Sequence, residues 1–468
     1  MSSKEIRGLD VPADVLDLDP ERMRELGHWV VDRTIDHLAT LRDRPAITER
    51  TYAELAASLG GDVPRTPSDL REGLGLLADV ALEAQQHGDH PRYFARVPGP
   101  SSDVAILGDW LASGLQAVAS SWGGGSGTTT LEVVALGWLR DALGLAPGSE
   151  GLLVSGGSMA STTALIAARA ENGAGVLYLS DQTHSSIKRG AVAMGWDESL
   201  IRILPTDDAL RLDAAALREA VEADVAAGLH SSVVVATAGT TNTGAVDDIP
   251  AIAEVARARG MWLHVDGAYG GPAALVEGRS GICGLELADS FVLDPHKWLF
   301  QPYDAACLWA ARPGALERTF AMHPEYLADA QGRDVDLSNR GLELTRRARA
   351  TKLWLTLRTY GLDAIADAVL RGIGLAEHAE SVIAASSDLE VVTPASLGVV
   401  TFAVRGVDGP AHAEVAARIT EDGFAAMTST VLRGRRVLRL CTINPRTTTA
   451  DLDATFDLVV RTASDLRE

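Results

Sequence analysis

The chain has 468 residues, enough to bury a large core and to divide into more than one domain. Its formal net charge of -21 argues against nucleic acid or an anionic membrane surface as the main partner, which leaves small-molecule chemistry. Cys283, Cys307 and Cys441 are too far apart for a disulfide framework or a metal-ligand spacing, so no metal is expected. Met1-Ser2-Ser3-Lys4-Glu5 lacks the apolar core of a leader, and no uncharged run is long enough to span a bilayer, so a soluble protein is expected, in the reducing cytoplasm that the scattered cysteines suggest.

Asp19-Pro20 reads as an N-cap followed by proline at the first helical position, opening an amphipathic run through Met23, Leu26, Trp29, Val30 and Ile35. Helical patterning continues to Gln86, and His90-Pro91-Arg92-Tyr93-Phe94 turns the chain into a new segment. A helical arm over 1–88 is predicted. From Gly151 to Ala310 short β-rich runs alternate with helical stretches: Leu152-Val154, Val176-Leu179, Ile201-Leu204, Val233-Ala236, Trp262-Val265, Phe291-Leu293 and Ala306-Trp309. That alternation predicts an α/β domain over 89–362 with a mainly parallel sheet covered on both faces. Ligands on such sheets gather where strands end and loops begin. After a long helix near Leu353 to Tyr360, the runs around Val391, Val399-Val404 and Val437-Leu440 suggest a smaller α+β domain over 363–468.

Four stretches carry chemistry, and each follows a predicted strand. Lys297, in Asp294-Pro295-His296-Lys297-Trp298, suggests an amine that forms a Schiff base with a cofactor, provided it is desolvated or set beside other cations. Asp266, followed by Gly267-Ala268-Tyr269-Gly270-Gly271, offers a carboxylate whose burial would demand a cation such as a protonated ring nitrogen. Ser155-Gly156-Gly157-Ser158 leads from a strand into a helix and lets a phosphate approach free backbone N–H groups, with Gly157 and Ser158 as contacts. His184 can stack on an aromatic cofactor or pass protons. Taken singly, each also reads as an ordinary strand-end turn or a solvated side chain; their shared placement favours a site.

Together these stretches resemble the group II pyridoxal-phosphate decarboxylases, the family of the aromatic amino acid, histidine and glutamate decarboxylases. The similar segments run in family order from His90-Pro91-Arg92-Tyr93-Phe94 to Leu438-Arg439-Leu440-Cys441-Thr442-Ile443-Asn444-Pro445. The resemblance implies the fold of the aspartate aminotransferases (fold type I), pyridoxal 5'-phosphate as cofactor, an L-amino acid as substrate, and a homodimer with active sites at its interface. It also implies site roles: Lys297 carries the cofactor, Asp266 pairs with the pyridine nitrogen, and His184 stacks on the ring, with Ala268 near the opposite face. Gly157 and Ser158 match phosphate-loop positions, Thr241 a cofactor-contacting threonine, and His296 the histidine beside the lysine. Tyr326, in His323-Pro324-Glu325-Tyr326-Leu327, matches a mobile-loop tyrosine that protonates Cα; relatives that release aldehydes often carry phenylalanine there.

The substrate pocket departs from the aromatic-selective pattern. Arg96 and Val97, before Pro98, stand where aromatic decarboxylases carry Tyr and Phe, and Ser120 matches a phenylalanine lent by the neighbouring subunit. Arg96 must be exposed, paired internally, or turned to an anionic substrate group. An aromatic or other hydrophobic amino acid is the first substrate class and an acidic or polar one the second. An aldehyde synthase, an aminotransferase and a non-catalytic binder of the cofactor are the remaining alternatives.

Overall fold

The computed structural model of the chain describes residues 14–325, 329 and 331–466. Asp19 accepts hydrogen bonds from the backbone N–H groups of Glu21 and Arg22, and Pro20 opens the first helix, Pro20–Thr40, where the sequence signals place it. Leu26 is buried, whereas Met23, Val30 and Ile35 are exposed along the same helix. Short helices Tyr52–Leu59 and Leu70–Leu76 complete this arm, and helices Asp103–Gly114 and Trp122–Ala142 lead into the body.

Seven strands form the large sheet: β1 (Glu150–Val154), β2 (Val176–Ser180), β3 (Ile201–Leu204), β4 (Ser231–Thr237), β5 (Trp262–Asp266), β6 (Ser290–Leu293) and β7 (Ala306–Ala310), in the order β1-β7-β6-β5-β4-β2-β3. Every residue of β2, β4, β5, β6 and β7 is buried, as expected for strands covered on both faces. Neighbours from β3 across to β6 pair parallel; β7 alone runs antiparallel, to both β1 and β6. The register aligns Thr237 with Asp266 and Asp266 with Val292, so the ends of β4, β5 and β6 emerge side by side. That edge is where the site is built.

Helix Ala350–Ala385 carries the chain from the large sheet to the small one. It extends well beyond the expected Leu353–Tyr360 because helical geometry resumes after Gly361, whose φ of 77° interrupts it. The small sheet is antiparallel, β10-β11-β9-β8, built from β8 (Leu389–Ser396), β9 (Val399–Val404), β10 (Thr428–Leu432) and β11 (Arg435–Cys441). Its core includes Phe402 packed edge-on to Phe456, with ring centroids 5.4 Å apart. The two sheets meet at the site: the backbone N–H of Gly398 donates to the Tyr269 hydroxyl at 2.9 Å, and the Tyr269 ring stacks on Trp298 at 5.4 Å.

Beneath β1 lies a fully buried ion pair, Arg346 to Glu132 at 2.6 Å. Arg346 also donates to the carbonyls of Ala119 and Leu153, and Glu132 accepts from the Leu153 N–H at 2.8 Å. Charges this deep persist only when so densely bonded. Their effect is to fix the last residues of β1 before the Ser155-Gly156-Gly157 turn.

Candidate active site

At the carboxyl edge of the large sheet the chain encloses a cavity of about 350 Å³. Gly157, Ser158, His184, Thr241, Asp266, Ala268, His296 and Lys297, separated by up to 140 positions in sequence, all line it. The structure brings these eight together. It adds Ser186, Thr237, Gly239, Tyr269 and Asp294, to which the sequence reading gave no role.

Each wall has a local cause. Helix Gly157–Asn172 begins at the cavity, so its first N–H groups face inward without helical partners. His184 caps helix Ser185–Ala193: its Nδ1 accepts from the Ser186 N–H at 3.3 Å and lies 2.7 Å from the Ser186 hydroxyl, which fixes the ring plane. Burial, partly opposed by Asp266, lowers the pKa of His184 and keeps the ring neutral. Asp266 ends β5 and accepts from the Ala268 N–H at 3.0 Å. Burial raises its carboxyl above the ordinary range, only partly offset by that N–H, Lys297 and His184.

Lys297 follows β6 on the single turn Pro295–Trp298. Burial would lower its pKa, but the Asp294 carboxylate, 2.8 Å from Nζ, outweighs burial and holds it above the ordinary value. His296 accepts from the Ala305 N–H through Nδ1 at 3.1 Å, its ring lies 4.9 Å from that of Tyr303, and burial lowers its pKa. Two buried oxygens at the cavity, Thr237 Oγ1 and Asp294 Oδ1, have no hydrogen-bond partner among the described residues.

A family model described as the pyridoxal-dependent decarboxylase conserved domain matches residues 55–405. The chain belongs to this family. It is 40% identical to the aromatic-L-amino-acid decarboxylase of Bacillus atrophaeus, over 93% of this chain and 94% of that one. It is 31% identical to the phenylacetaldehyde synthase of Arabidopsis thaliana, over 96% and 97%. Among solved structures, that of Oryza sativa TDC with PLP and tryptamine superposes with a TM-score of 0.90 at 29% identity, covering 97% of this chain and 99% of that one. The chain is thus an amino acid decarboxylase with the fold of these enzymes and with pyridoxal phosphate as its cofactor.

The lining of the cavity itself fits that cofactor. Asp266 is a buried carboxylate short of positive charge, suited to a protonated ring nitrogen. Gly157 leaves room that any other residue would fill, since a Cβ there would lie 2.8 Å from Asp294 Oδ2 and 3.0 Å from Ala268 Cβ. The helix N-terminus beside it suits a phosphate.

The remaining predicted residues lie elsewhere. Arg96 is exposed, in the left-handed backbone region at φ 52°, and its Nη1 donates to Gln86 Oε1 at 3.1 Å. Val97 packs against the cluster of Tyr269 and Trp298, and Pro98 is buried next to Gly99. Ser120 accepts from the Arg346 N–H at 2.9 Å. None of these four lines the cavity within one chain. Tyr326 lies outside the described residues. Asp294 could have been found from sequence as a second carboxylate inside the lysine motif; Thr237 and Ser186 carry no such signal.

Proposed function

We propose that the chain decarboxylates an aromatic L-amino acid to the corresponding amine and carbon dioxide. The cavity that sets a buried Asp266 against Lys297 carries the catalytic reading, and the 40% identical relative named for aromatic substrates supports the substrate class. When bound, pyridoxal phosphate supplies an electron sink for the bond between Cα and the carboxylate.

In this reading the chain's own groups orient and protonate. Asp266 keeps a positive charge on the ring nitrogen, which deepens the sink. His184, its ring plane fixed by Ser186, would offer a flat wall to the cofactor ring, and Ala268 and Thr241 would help hold it. The N–H groups at Gly157 and Ser158 hold the phosphate. Lys297 would anchor the cofactor, with His296 beside it. Tyr326 delivers the proton to Cα, which completes the amine and disfavours the aldehyde outcome.

Val97, Pro98 and Ser120 belong to the substrate pocket only if a second subunit completes it, whereas Arg96, exposed and bonded to Gln86, is read as a structural residue. A homodimer is therefore part of the proposal. Its support is the unpartnered apolar surface of the arm and the next helix, where Ile35, Leu107, Leu111 and Leu115 are exposed. A cytoplasmic location accords with three free cysteines. Among the described residues no helix is long and apolar enough to cross a membrane. Borohydride reduction of the loaded enzyme followed by peptide mapping should label Lys297, and light scattering should give twice the chain mass. Label on another lysine, or a fully active monomer, would overturn the respective part.

A further inference from the structure

Asp294 is the cavity residue whose surroundings are least explained by the reading above. Its side chain is 2% exposed. Oδ2 sits 2.8 Å from Lys297 Nζ and 3.5 Å from His296 Nε2, while Oδ1 is buried with no hydrogen-bond partner among the described residues. Both oxygens face Gly157 at the start of helix Gly157–Asn172; a Cβ there would lie 2.8 Å from one and 3.0 Å from the other. The carboxylate therefore borders the phosphate loop. This rests on the reading of Gly157 and Ser158 as that loop.

In the chain alone, Lys297 neutralises Asp294. Once Lys297 is engaged with the cofactor it is no longer free to pair with this carboxylate, and a phosphate arrives instead. Two anions then face each other in a buried site, an arrangement that like charges avoid by sharing a proton. His296 is not placed to take that proton as a cation, because its Nδ1 already accepts from the Ala305 N–H at 3.1 Å. The other groups that feel Asp294 are Asp266 from β5, Cys307 from β7, His184 and Tyr303, none of which adds a fixed positive charge.

We propose that in the loaded enzyme Asp294 and the cofactor's phosphate are joined by one shared proton. Oδ1, without a partner among the described residues, gains one in that hydrogen bond. No covalent bond forms or breaks: the proton enters from solvent or arrives on the ester as its monoanion. Asp294 is in this sense a positioning residue for the cofactor, and it makes the phosphate end of the site sensitive to pH.

The test is phosphorus NMR of wild type and Asp294→Asn, both loaded with pyridoxal phosphate, between about pH 6.5 and 9, above the ester's second pKa of about 6. Infrared difference spectra of the same samples report any neutral carboxyl group. The variant should show the dianion resonance throughout. Wild type should show either a resonance displaced toward the monoanion or a neutral-carboxyl band that the variant lacks. Asp294→Ser serves the same comparison if the asparagine variant does not fold. Identical dianion resonances with no difference in the carboxyl region would overturn the proposal. A bound resonance that follows the free ester at every pH in wild type would instead overturn the phosphate-loop reading, and the shared proton with it.

Discussion

Asp266→Asn separates two effects that a carboxylate in this position combines. Asp266 is 7% exposed and its carboxylate accepts one N–H, from Ala268, an interaction an asparagine oxygen retains. Its folded-state pKa lies above the ordinary carboxylate value because of burial. A raised value means that folding favours the neutral acid. The penalty for ionising it therefore grows as pH rises past the unfolded value of about 3.9, and is fully present above the folded value. Asparagine removes that penalty, so the cofactor-free variant should melt no lower than wild type at pH 8. Turnover should move the other way. Removing one partner of a buried, hydrogen-bonded charge pair costs about 3–5 kcal/mol. At 1.36 kcal/mol per tenfold in rate, this becomes a loss of about 10²–10⁴ in kcat. The assay is carbon dioxide release at saturating substrate and cofactor, beside melting curves with and without pyridoxal phosphate. A variant that turns over within a few-fold of wild type would refute the pairing of Asp266 with the ring nitrogen.

Tyr326→Phe should slow amine formation by about 10²–10⁴-fold, the range for a lost general acid, and raise the share of aldehyde in the product; unchanged amine yield would remove Tyr326 from the reaction. Arg96→Leu should leave the ranking of substrates by kcat/KM unchanged and stability within about 0.5 kcal/mol, because the guanidinium is exposed and held by Gln86; a ranking that moves toward neutral side chains would instead place Arg96 against the substrate. Asp451→Asn should cost about 0.5–2 kcal/mol in denaturant melts at pH 7, since its carboxylate completes the capping box with Thr448 and pairs with Arg42 at 2.5 Å. Burial works against the Asp451 carboxylate, but Thr448 and Arg42 hold its pKa below the ordinary value. Its contribution is therefore present above about pH 3.9 and lost as pH falls through the lower folded value, so the difference between variant and wild type should shrink in acid.

The strands of the large sheet were legible because their runs are short and mostly apolar, and β2, β4, β5, β6 and β7 are buried throughout. β10, Thr428–Leu432, escaped notice: its Thr-Ser-Thr start is polar because it lies at the edge of the small sheet. The long helix was read only near Leu353 to Tyr360, whereas it resumes beyond Gly361, whose φ of 77° interrupts it, and runs to Ala385. Within the site, the strand-end residues Lys297, Asp266, His184 and Gly157 were visible from local pattern. Asp294 stood in view without a role, since its meaning comes from Gly157, 137 positions earlier, and not from its neighbours in sequence. The Arg346 to Glu132 pair, 214 positions apart, had no local signal at all.

The most direct test is to incubate the loaded enzyme with each proteinogenic L-amino acid and measure carbon dioxide together with the organic product. Equimolar carbon dioxide and amine, with the highest kcat/KM for phenylalanine, tyrosine or tryptophan, is the predicted result. Preference for glutamate or another acidic or polar amino acid, or an aldehyde or keto acid in place of the amine, would contradict it.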